Sequence, residues 1–171
     1  MLLTADHVRL MARYNGWQNA QIMRAVDGVS LKLLTEDHGA HFGSILGTLN
    51  HLLWADRLWL NRFGAGVEPP GGGIAEGTAL TPTGAAWSAE RFALDGRISA
   101  WARDLLSIDL TGDLTWHSAV KGAGISRPLA LCVTHMFNHQ THHRGQVHAM
   151  LTRAGLAAPE TDLAFMPEDI E

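Results

Sequence analysis

A single cysteine, Cys132, is all the thiol this 171-residue chain contains, which excludes an internal disulfide framework and a cysteine-rich zinc ribbon and suits a reducing compartment. No run of 18 apolar residues occurs, so no membrane-spanning helix is expected. The start, Met1 to His7, meets Asp6 and His7 too early for a secretory leader, and a soluble, cytoplasmic protein is the expectation. Lys and Arg number only 13 against 17 Asp and Glu, for a net charge of -4. They are scattered along the chain, so no basic stripe exists to track phosphates and nucleic acid is not an expected partner. Proline is scarce, with 6 residues, and most of it lies in loops.

What remains is an amphipathic chain with 46% hydrophobic residues, enough for one globular domain over residues 1–171. Apolar positions Val8, Leu10, Met11, Tyr14, Trp17, Ile22 and Met23 predict a helix from about Asp6 to Val26, N-capped by Thr4 or Asp6. A denser pattern from Phe42 to Phe63 predicts a helix buried on more than one side. Gly64 to Gly84 is too rich in glycine and proline for a regular element and reads as a flexible connector. Its triple glycine is not followed by Gly-Lys-Ser/Thr, so it is no phosphate cradle. A third helix is predicted over Ala85–Leu106, a short β-hairpin over Leu114–Arg127, and a fourth helix from Pro128 to about Ala154. Leu156 to Glu171 reads as a docked, irregular tail. The fold class is therefore all-α: a four-helix bundle with one long crossover loop and a short hairpin before the last long helix.

Histidine is over-supplied, with 10 residues, and His135, His139, His142, His143 and His148 fall on the fourth helix. Helical spacing allows three chelating pairs, His135/His139, His139/His142 and His139/His143. A bundle site must aim at the core. At about 100° per residue, Leu129, Cys132, Val133, Met136, Phe137, Val147, Met150 and Leu151 define an apolar arc that contains His143 and is edged by His139. His135 and His142 point away from it, so His139 and His143 are the expected ligand pair. Cys132 lies about 10 Å along the axis from His139 and is a packing residue. His7, His38, His41, His117 and His148 are read as surface or satisfied core residues. Two ligands rarely suffice, and the second helix offers two candidates for a third. His51 sits off its main apolar arc, and Asp56 near the middle of that arc would be a costly buried carboxylate without a partner. Periodicity leaves the choice between them open.

Three stretches resemble the DinB family of metalloproteins, which is grouped with YfiT-like hydrolases and thiol transferases. They are Tyr14-Asn15-Gly16-Trp17-Gln18-Asn19, Ser44-Ile45-Leu46-Gly47-Thr48-Leu49-Asn50-His51-Leu52, and Asn138-His139-Gln140-Thr141-His142-His143-Arg144-Gly145-Gln146. The resemblance implies a four-helix bundle with a divalent ion, zinc or nickel, held by His51, His139 and His143, and leaves Asp56 as a supporting carboxylate that engages a nearby Asn or Arg. It further implies a thiol S-transferase or hydrolase type of activity on a small-molecule substrate, a low-molecular-weight thiol as cosubstrate, and a homodimer. Asn138, Arg144 and Gln146 are candidates to support the ligands or touch substrate. No general base is legible. The competing expectations are a non-catalytic, stress-associated bundle stapled by its metal, and an all-α interaction module whose histidines are incidental.

Overall fold

The four long helices form where the periodicity places them, and a side-chain cap fixes the start of three of these four. In the computed structural model, which describes residues 3–119 and 121–168, Thr4 caps α1 (Ala5–Val26) and Ser44 caps α3 (Ile45–Arg62). Thr83 does the same for α5 (Gly84–Asp104). Each cap oxygen accepts from a backbone N–H three residues on, at 3.0–3.3 Å, satisfying a donor the helix leaves orphaned. α6 (Leu129–Arg153) follows Pro128. It ends on Gly155 at φ +71°, where Leu156 N–H reaches back to Leu151 O at 2.9 Å, a closure that needs the left-handed conformation glycine tolerates. Two short α-helices, α2 (Leu31–Thr35) and α4 (Ile74–Gly77), and two 3₁₀ turns, Ser107–Leu110 and Leu163–Phe165, complete the helical set among the described residues.

Helix pairing follows from which residues meet. Asn19 bonds Asp95 while Arg9 bonds the carbonyl of Leu105, so α1 and α5 run antiparallel. His51 meets His139 while Trp59 meets His135, so α3 and α6 are antiparallel as well. Leu49, Asp56 and Phe63 meet Trp87, Arg91 and Trp101 in turn, so α3 and α5 are parallel. Two parallel neighbours joined in sequence require a return segment as long as α3 itself, about 27 Å at 1.5 Å per residue. The glycine-rich stretch after Phe63 supplies it. The core between the helices is built on Val8, Ile22, Ile45, Leu53, Trp87, Ile98, Val133, Met136 and Leu151, all 2% exposed or less. The hairpin, β1 (Asp113–Ser118) and β2 (Ala123–Pro128), is antiparallel with Trp116 opposite Ile125, and leans on α6.

Several boundaries differ from the expectations. Phe42 and Gly43 lie outside α3, because Gly43 takes φ +71° in a tight turn bridged to Ala40. α5 stops at Asp104, leaving Leu106 63% exposed. The Gly64–Gly84 segment is not a free connector: Asn50 clamps it through Thr78 O, Thr81 O, Thr81 N–H and the Thr81 hydroxyl at 2.6–3.2 Å. Trp54 donates to Gly71 O, and a side chain at Gly77 would strike the Trp54 ring. The tail is docked as expected, with Tyr14 donating to Thr161 O and Gln18 to Glu160 O, each at 2.6 Å. Met1, Leu2, Val120 and residues 169–171 carry parts of the leader, hairpin and tail expectations and lie outside the described residues.

Helix α1 holds the largest departure. Leu10 is 37% exposed, whereas Asn15, Gln18 and Asn19 are buried to 1–2%. Their spacing shows why: Val8, Ala12, Asn15, Asn19, Ile22 and Val26 form a 4-3-4-3-4 stripe on one face, and polar residues interrupt it at mid-helix. The same interruption occurs on α5, where Arg91 sits between Trp87, Leu94 and Ile98, and on α6 at Gln140 and Arg144. The four long helices thus share one buried polar layer.

Candidate metal centre

Three imidazoles meet where α3 and α6 cross. One ligating nitrogen from each of His51, His139 and His143 lies within 4.8 Å of the others, and the Nε2 atoms of His51 and His139 are 3.1 Å apart. Two nitrogens bound to one tetrahedral ion at about 2.0–2.1 Å stand about 3.3 Å apart, so this pair has a separation close to one a divalent ion imposes. His51 and His143 are 5% and 6% exposed and His139 is half-buried. Burial, followed by repulsion from neighbouring histidines, lowers His51 to about 4 and His139 to about 3. Burial also lowers His143. At neutral pH all three are therefore uncharged with lone pairs available, the form a metal requires.

The atoms around the imidazoles decide which nitrogen faces inward. His143 Nδ1 sits 2.8 Å from Gln146 Oε1. An amide oxygen only accepts, so Nδ1 carries the proton and Nε2 keeps its lone pair for the cluster. His51 presents Nε2 to the cluster, and its other ring nitrogen, Nδ1, is buried without a hydrogen-bond partner among the described residues. The Phe42 ring covers the cluster, 4.0 Å from the His51 ring and 5.3 Å from that of His143. Trp54, the residue that anchors the crossover segment, stacks with the His51 ring at 6.2 Å. Exposed His142 bonds Gln146 through its ring nitrogen, and exposed His41 lies near enough to depress both His51 and His143.

His139 and His143 converge as the helical arc indicates, and His51 joins them where the resemblance placed it. His135 and His142 are exposed, as anticipated, although the His135 ring still lies 5.6 Å from that of His139. Asp56 is not in the cluster. It is 1% exposed and holds Arg91 at 2.7 Å, and Arg91 reaches Asp95 at 2.8 Å. Burial alone would lower the Arg91 guanidinium, and Asp95 and Asp56 more than reverse that, keeping it charged. Arg144 is buried against Asn15 and Gln140, with its guanidinium 5.6 Å from the Tyr14 ring centre, which makes it part of the polar layer. Asn138 is exposed, and Cys132 is buried and unpaired. The place of Phe42 over the cluster and the burial of Arg91 are not among the expectations from sequence. Arg91 had a signal, a cation on an apolar stripe, whereas Phe42 had none that periodicity could carry.

Gln146 is the supporting residue whose effect is most easily isolated. Gln146→Ala frees the His143 ring to rotate, and metal affinity measured by competition with a chromophoric chelator is expected to fall by about 10–100-fold. An unchanged affinity would mean that the bond does not orient the ligand.

The fold and site together define a helical bundle whose histidine cluster, set between two antiparallel helices, could hold a metal ion. The DinB family model matches residues 1–170, and the chain belongs to the DinB family. It is 27% identical over 161 residues to Protein DinB of Bacillus subtilis strain 168, a match covering 92% of each chain. Its fold resembles the crystal structure of a DinB-like protein from Bacillus cereus ATCC 10987, with a TM-score of 0.69 at 17% identity, over 94% of this chain and 99% of that one. Among the described residues no helix is long and apolar enough to cross a membrane.

Proposed function

We propose that this chain is a metal-dependent enzyme of the thiol S-transferase or hydrolase type, in which His51, His139 and His143 hold a zinc or nickel ion and a small molecule is the substrate. The observation that carries this reading is the convergence of three neutral imidazole nitrogens within 4.8 Å, two from buried side chains and one from half-buried His139, joined among the described residues by no fourth His, Cys, Asp or Glu. Three protein ligands with a position left over is the pattern of a catalytic site, whereas a structural site closes itself with a fourth. A divalent ion there would supply Lewis acidity and lower the pKa of a bound thiol or water toward neutrality. The protein's own residues do the rest. Phe42 and Trp54 flank the imidazoles with apolar surface that thins the water around them, which strengthens electrostatic effects inside the site. Gln146 fixes the His143 tautomer, and exposed His41 and His142 stand at the rim of the cluster.

The reading extends to a low-molecular-weight thiol as cosubstrate, to a soluble cytoplasmic location and to a homodimer. Support for a dimer comes from the outer face of α1 and α5, where Phe92 is 76% exposed beside Trp17 and the small residues Gly16, Ala93 and Gly96. The activity is tested by incubating metal-loaded protein with a panel of thiols and electrophiles, with and without chelator. Chelator-sensitive thioether formation or hydrolysis supports it. Full metal loading with no turnover of any pair would favour a bundle that the metal only staples.

A further inference from the structure

A cavity of about 480 Å³ opens between the hairpin and the seam of α3 and α6. The strand register puts Trp116, Ile125 and Arg127 on one face of the hairpin, since Trp116 pairs with Ile125 and Leu114 with Arg127 and alternate residues share a face. That face looks toward Trp59 on α3 and toward Leu131 and His135 on α6. The Trp59 and Trp116 rings meet edge to face at 5.6 Å and make an aromatic wall. His135 is the partition, its ring 5.2 Å from Trp59 on one side and 5.6 Å from His139 on the other. The cavity therefore continues the histidine cluster along the same helix pair.

Its charge is of one sign. Lys121 and Arg127 line it, and the Arg62 guanidinium lies 4.7 Å and 5.1 Å from the Trp59 and Trp116 ring centres. Among the described residues none of these three cations has a carboxylate within ion-pair distance. Asp113, the acid that acts on nearby Cys132, is on the alternate face of β1 and makes no ion pair either. By contrast, the buried Arg91 has two carboxylates. An apolar, aromatic pocket rimmed by uncompensated cations is complementary to a flat apolar body carrying an anionic group.

We propose that this cavity binds the organic co-reactant, a small carboxylate with a planar apolar body, whose body packs on Trp59, Trp116 and Leu131 and whose carboxylate faces Arg127 and Lys121. That it is a co-reactant rests on the metal-dependent reading of the triad, whereas the binding itself does not. The test is titration of metal-free protein with 2-naphthoate, followed by tryptophan fluorescence and calorimetry, against the neutral isostere 2-naphthamide. Saturable binding of the acid is expected, with the amide about tenfold weaker. An Arg127→Gln/Lys121→Gln double variant, both positions being exposed and expected to leave the fold intact, loses the same about tenfold for the acid while keeping its affinity for the amide. A His51→Ala/His139→Ala variant binds the acid unchanged. Equal binding of acid and amide, indifference to the double variant, absence of saturable binding, or dependence on the triad variant would each overturn the proposal. A protein that takes up no metal yet binds naphthoate as described would sink the metal reading and leave the cavity assignment standing.

Discussion

Replacing His139 and His143 together with alanine is expected to take bound zinc or nickel from about one ion per chain to near none, because a lone imidazole cannot hold a divalent ion against buffer. The loss should be specific. The two side chains lie one helical turn apart at the edge of the core, and alanine suits a helix interior, so helical content should persist while metal content does not. A His135→Ala variant provides the control: its ring neighbours His139 but supplies no nitrogen to the cluster, and it should stay loaded. Elemental analysis of protein purified at neutral pH, paired with circular dichroism, reads both quantities. Metal absent from the unaltered protein, or retained by the double variant, would remove the basis for the proposed function.

Arg91→Met is expected to destabilise the protein by about 3–5 kcal/mol, the cost of leaving buried carboxylates without their cation. Asp56 and Asp95 both depend on Arg91 at 2.7–2.8 Å, and Asp56 has no solvent to turn to at 1% exposure. Asn19 also bonds Asp95 at 3.0 Å, so the disturbance spreads from α5 to α1 as well as to α3. Asp56→Asn should be milder, since the amide keeps an acceptor for Arg91 and carries no charge. Urea unfolding midpoints with a common slope would rank the variants. A loss for Arg91→Met under about 1 kcal/mol, the level of an exposed pair, would show that the layer is solvated in solution.

The sequence made some of this legible for clear physical reasons. α6 has a one-sided apolar arc, so the position of His143 inside it and His139 at its edge could be computed from rotation alone. α3 gives no such contrast: Ile45 through Asp56 are all buried, and when every face is inside, periodicity cannot say which one meets α6. His51 was placed by resemblance for that reason. Arg91, Asn15 and Asn19 occupy apolar stripe positions, and counting only hydrophobic residues passed over them. Phe42 depends on the tight turn at Gly43, a tertiary feature that helical spacing extends straight through.

The two halves of the histidine cluster are 88 residues apart in the chain, counted from His51 to His139. Bringing them together means closing just over half the polypeptide into one loop, an entropic cost that local helix formation does nothing to offset. The cluster is therefore expected to assemble only after α3 and α6 have packed, so that an ion held there would arrive after the folding barrier has been crossed. Contacts made beyond the barrier act on the rate of escape from the native state rather than on the rate of reaching it. Metal loading should accordingly leave the refolding arm of a denaturant-jump experiment nearly unmoved and depress the unfolding arm, so that the ion sets the lifetime of the bundle and not the speed of its formation. A refolding rate that rises with metal would place the cluster inside the nucleus instead.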